Sequence, residues 1–130
     1  MATRIEQEVD LLRPAFPNLD YRKQDQWVLI PAYQLPPGWE PSLVDISILI
    51  PAEYPKNPPY GIYVRPELHF KGEGPDRYKY PAPNQPPFGG TWGVFSWAPE
   101  GAWAPKAEIT HGSNLYNWVQ SFRQRFLEGR

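Results

Sequence analysis

Two stretches of this chain repeat apolar residues at helical spacing, and the stretch between them alternates. Near the start, Ile5, Val9 and Leu12 recur at i, i+4 and i+7, which predicts a short amphipathic helix. Thr3 and Glu6 have the spacing of a capping box, and Pro14 stops the helix. Near the end, Leu115, Trp118, Val119, Phe122 and Phe126 follow Gly112 and Ser113 at i, i+3, i+4, i+7 and i+11. This predicts a second, longer helix. Arg123 and Arg125 suit its C-terminal dipole and read as a solvated face rather than as the mark of an anionic partner.

Between the helices the period falls to two. Val44, Ile46, Ile48 and Ile50 alternate with Asp45, Ser47 and Leu49, the pattern of a half-buried strand, which Pro51 ends. Trp27 to Ile30 and Tyr60 to Val64 are shorter β-rich runs bounded by Pro or Gly. Short connections imply an antiparallel meander of three to four strands. From Arg65 to Gly90 no period is visible, and the segment reads as a long loop. The pattern predicts an α+β fold: N-terminal helix, meander, irregular segment, C-terminal helix.

Composition narrows this picture. A chain of 130 residues supports one domain, residues 1–130. Its 18 prolines are 14% of the chain against an average of about 5%. Twenty aromatics (six Trp, eight Tyr, six Phe) supply the buried bodies that a disordered chain lacks. A net charge of −1 and a pI near 6.1 offer no field for nucleic acid or anionic lipid. Apolar runs such as Ile48, Leu49 and Ile50 are far short of a membrane span, and Met1 to Asp10 does not read as a signal peptide. A cytoplasmic protein is expected, with no metal and no cofactor. Cysteine is absent, so thiol catalysis, disulfides and thiolate metal sites are excluded.

One motif is more specific than the rest. Tyr54, Pro55, Lys56, Asn57, Pro58 and Pro59 separate the alternating strand from the next β run. Prolines fix φ there and remove donors a turn would otherwise have to satisfy. A Tyr-Pro-x-x-Pro-Pro turn in this place resembles the signature of the ubiquitin-conjugating enzyme superfamily, and Trp103 and Pro105 resemble its Trp-x-Pro. The resemblance is greatest to a prokaryotic conjugating-enzyme-like family that lacks the catalytic cysteine. Gly93, Val94, Phe95, Ser96 and Trp97 then align Ser96 with the family's nucleophile, seven residues before Trp103 where eight are usual. Ala82, Pro83 and Asn84 resemble its His-Pro-Asn with the His lost, which assigns Asn84 an oxyanion-type role.

The resemblance implies partners: a ubiquitin-like protein, an activating-enzyme homologue and a metal-dependent deubiquitinase-type peptidase. It also points to the first helix as a docking face, with Arg4, Glu6, Gln7 and Glu8 as exposed candidates. Conjugating enzymes carry the ubiquitin-like C-terminus as a thioester, which a serine replaces poorly. A hydroxyl needs an activating base, and its oxyester is a weaker acyl donor to lysine. Only His69 and His111 offer an imidazole, neither adjacent to Ser96 in sequence; they read as a loop residue and as a cap or surface residue.

Three functions stay open at this point. The first is a non-catalytic binder of the ubiquitin-like protein or its activating enzyme. The second is an acyl carrier using Ser96. The third is an aromatic-rich module for peptides or carbohydrate. The glycines Gly72 and Gly74 lie among Lys71, Glu73, Asp76 and Arg77 and read as a solvated loop, not a phosphate site.

Overall fold

The computed structural model describes residues 3–99 and 102–128. In chain order it contains α1 (Arg4–Leu12), β1 (Asp20–Arg22), β2 (Trp27–Gln34), β3 (Trp39–Glu40) and β4 (Leu43–Leu49). These are followed by β5 (Ile62–Arg65), β6 (His69–Phe70), β7 (Tyr78–Lys79), β8 (Gly93–Phe95) and α2 (Leu115–Leu127). Six strands form one antiparallel sheet in the order β1-β2-β4-β5-β8-β7, and β3 pairs with β6 apart from it.

Helix α1 starts in the way its sequence requires. Thr3 Oγ1 accepts the Glu6 N–H at 3.2 Å, and Glu6 Oε1 accepts the Thr3 N–H at 3.2 Å. Both orphan donors are thereby satisfied. Val9 and Leu12 point into the core. On α2, Asn114 is the N-cap, accepting the Asn117 N–H at 2.8 Å. Trp118, Val119, Phe122 and Phe126 are buried against the sheet. Phe126 meets Phe95 of β8 edge-on at 5.7 Å and Trp39 of β3 at 5.3 Å, and its carbonyl accepts the Trp39 indole N–H at 2.9 Å. Burying each such ring contributes about 1.5–3 kcal/mol, and these contacts hold the small second sheet to the main core.

Strand β2 runs further than its apolar pattern suggests. Pro31 looks like a terminator, yet the strand continues to Gln34 through a register shift between Ile30 and Tyr33. The bulge puts Ala32 at φ 55°, and its N–H leaves the ladder for Asp45 Oδ1 at 3.1 Å. A bulge is where a strand tolerates proline.

The segment from Arg65 to Gly90 is not the structureless loop expected. It contributes β6, which pairs with β3, and β7, which closes one sheet edge. Strands of two residues carry no readable period, and their partners are distant in sequence. His69 is accordingly a strand residue opposite Glu40. Beyond β7, a turn is closed by Gln85, whose Nε2 donates to the Ala82 and Trp92 carbonyls while its Oε1 accepts the Trp92 N–H. Trp92 is fully buried, with the Arg65 guanidinium 4.6 Å from its ring centre.

Arg125 also departs from expectation. It is buried rather than solvated, its guanidinium lies 4.9 Å from the Phe95 ring centre, and it donates to the Asp76 carbonyl at 3.1 Å. Arg123 is exposed. No helix among the described residues is long and apolar enough to cross a membrane.

Candidate functional site

A carboxylate inside a core is tolerated only when its oxygens are paired. Glu8, on α1, is 0% exposed and fully engaged. Its Oε2 accepts Arg4 Nε at 2.8 Å. Its Oε1 accepts the Leu115 N–H at the start of α2, at 2.8 Å, and the Tyr54 hydroxyl. Arg4 Nη1 in turn donates to the Lys106 carbonyl at 2.6 Å. Tyr54 packs 5.9 Å from Trp103, whose indole N–H donates to the Pro55 carbonyl at 2.7 Å. Burial, reinforced by the bond to Glu8, holds the Tyr54 phenol well above its ordinary range. The Tyr-Pro turn, the Trp-x-Pro segment and both helices therefore meet around one carboxylate.

This geometry corrects the proposed docking face. Glu8 points inward, and Arg4 is half-buried against it. Glu6 is taken up by the capping box and by Lys23 at 3.5 Å, while Gln7 is exposed. The signal was present in the sequence. Glu8 lies three residues after Ile5 and four before Leu12, on the apolar face, but its charge made it look solvated. Only Tyr54 and Leu115, both distant in sequence, explain why it is inside.

Ser96 follows β8 directly and is exposed. Its N–H donates to the Arg77 carbonyl at 2.9 Å, so the backbone there continues the sheet instead of forming a free loop. No hydrogen bond to Ser96 Oγ is present among the described residues, and neither imidazole reaches it. His69 sits in the second sheet, and His111 is exposed in the turn before α2.

Asn84 is not brought to Ser96. The β7–β8 pairing sets Tyr78 opposite Phe95 and Lys79 opposite Val94, and the Ala82 N–H then donates to the Trp92 carbonyl. Ser96 lies beyond one end of this ladder and Asn84 beyond the other. The two residues of β7 and the bend at Tyr80 and Pro81 separate the Arg77 carbonyl that Ser96 meets from Ala82.

Next to Ser96 a cleft of about 170 Å³ opens between α2 and the residues Trp97, Pro99 and Trp103. Trp97 stacks on Trp118 at 5.2 Å and 29°, and Trp103 and Pro99 complete that wall. Trp103 stands out in the sequence but the cleft does not, because its two walls are joined only by tertiary packing. Among the described residues, no three His, Asp or Glu side chains gather as metal ligands would.

Residues 18–119, well over half of the chain, match the family model of the prokaryotic E2 family E. The chain belongs to prokaryotic E2 family E. The match begins just before β1 and ends within α2, so it takes in the Tyr54 turn, Ser96 and the Trp103 segment. Membership in family E makes the protein conjugating-enzyme-like, and the absence of cysteine is consistent with it. No curated protein and no solved structure matches the chain.

Proposed function

We propose that this family E protein is a non-catalytic partner in a bacterial, cytoplasmic ubiquitin-like conjugation system. It binds the ubiquitin-like protein, the activating-enzyme homologue, or both, without accepting the acyl group. The observation that carries this reading is the isolation of Ser96 Oγ, which has no base within hydrogen-bonding reach among the described residues, in a chain with no cysteine. An unactivated hydroxyl is a weak nucleophile at neutral pH. Asn84 offers no help to chemistry at Ser96 from the far end of the ladder.

The docking face on α1 is narrowed to the exposed Gln7, with the half-buried Glu6 and Arg4 beside it, because Glu8 is committed to the core. A metal-dependent deubiquitinase-type peptidase is the further member of the same system. Calorimetry with the purified protein and its ubiquitin-like partner tests the reading. Saturable, non-covalent binding that Ser96→Ala leaves unchanged is expected. Binding that vanishes with Ser96→Ala contradicts it.

A further inference from the structure

The cleft beside Ser96 has a second wall. Asn117, Ser121 and Gln124 stand at i, i+4 and i+7 along one face of α2, with Ser113 just before the helix. Across from this polar stripe lie Trp97, Pro99 and Trp103. None of the described lining residues is charged, so the site suits a neutral ligand. We propose that the cleft binds an extended, uncharged, proline-rich peptide segment.

Three features point to that occupant. The first is length: from Asn117 to Gln124 the helix advances about 10 Å at 1.5 Å per residue. A polyproline II chain rising about 3.1 Å per residue lays three to four residues along it. The second is donor supply. Trp97 Nε1 and the side-chain amides of Asn117 and Gln124 make no hydrogen bonds within the described protein. Trp118 Nε1 is buried in the cleft wall with no acceptor. Ser121, by contrast, already donates to the Trp118 carbonyl. An indole N–H only donates, and a proline-rich chain presents carbonyls that have no partners of their own.

The third feature is the packing of the rings. Trp118 is 2% exposed and covered by Trp97, so only the half-buried Trp97 and Trp103 present ring surface to a ligand. An aromatic wall facing a row of spare donors is an arrangement that recognises preformed polyproline II segments. This inference does not depend on the ubiquitin-like reading, since it concerns a different ligand at a surface apart from α1.

The test uses the full chain and a neutral probe, acetylated and amidated decaproline, followed by the six tryptophan indole N–H signals in nuclear magnetic resonance. With peptide raised to about 1 mM, the Trp97 and Trp118 signals are expected to shift saturably. The Trp39 and Trp92 signals, whose N–H groups are bonded to Phe126 and Gly89, should stay in place. Gln124→Ala, an exposed change that leaves the core intact, should weaken binding about fivefold or more. Trp97→Phe, which keeps a ring but removes the donor, should do the same. Silence of both signals toward decaproline overturns the proposal. So does a response to cellohexaose but not to decaproline, or a response to protein concentration alone, which would mean a second copy fills the cleft. Loss of binding to the ubiquitin-like partner would leave these outcomes unchanged.

Discussion

The Tyr54 hydroxyl donates to the Glu8 carboxylate across 46 residues of sequence, inside the core. Because the same oxygen also accepts the first N–H of α2, one side chain fixes the signature turn to both helices. Removing it leaves a phenol, a helix N–H and the Arg4 guanidinium without their partner. Glu8→Ala is therefore expected to cost about 3–5 kcal/mol, the range for breaking a buried charged pair from one side. Glu8→Gln keeps an acceptor and should cost about 1–3 kcal/mol. Urea titration followed by tryptophan fluorescence measures both; equal, small losses would show that the carboxylate does not hold this junction.

The same bond gives a pH dependence with a definite sign. Burial, then the bond to Glu8, raises the Tyr54 phenol above its ordinary value of 10.0. The stabilisation is complete below that value and is lost as pH rises, because the unfolded phenol ionises while the folded one stays protonated. Burial likewise pushes the Tyr78 phenol up, to about 12. Each such group steepens the alkaline loss by about 1.4 kcal/mol per pH unit. Tyr54→Phe should thus be less stable near neutrality yet lose stability more slowly above about pH 10. Parallel curves for the two proteins would rule this out.

Arg65 is expected to tolerate no lysine. Its Nε and Nη2 both reach Asp45 Oδ2, at 3.0 and 2.7 Å, and its Nη1 donates to the Phe88 and Gly89 carbonyls, each at 2.7 Å. Lysine cannot reproduce that fork or place a planar guanidinium beside the Trp92 ring. Arg65→Lys should cost about 1.5–3 kcal/mol, with amide exchange accelerating first in residues 82–92. Exchange that speeds up uniformly across the sheet would contradict a local role.

Gly93 is expected to be irreplaceable for steric reasons. A Cβ there would overlap the Tyr78 hydroxyl and ring, and Tyr78 is itself held by the Leu68 N–H at 3.1 Å. Gly93→Ala should destabilise by about 1–3 kcal/mol, the usual cost of overpacking. A thermal midpoint equal to that of the parent would mean that Tyr78 moves freely.

Both helices and the central strands β2, β4 and β5 were legible because each carries a period long enough to read. Ile5, Val9 and Leu12 suffice for α1, and the alternation from Val44 to Ile50 for β4. The ends were less legible. Pro31 concealed a bulge that only Asp45 explains, and the two-residue strands β6 and β7 exist through pairing with Trp39–Glu40 and Val94–Phe95. At the site, Tyr54 and Trp103 carried the resemblance, and the structure joins them through Pro55. Glu8 and Arg125 read as solvated because of their charge, although both are buried, and the Trp97–Trp118 wall is invisible in the sequence because the partners lie far apart along the chain.

The central claim is that no acyl group passes through this chain, and intact-mass spectrometry tests it most directly. The purified protein is incubated with the activating-enzyme homologue, nucleotide and the ubiquitin-like protein. The account predicts an unchanged mass for both the parent and Ser96→Ala. An adduct on the parent that resists reductant, is released by hydroxylamine and is missing from Ser96→Ala would contradict it.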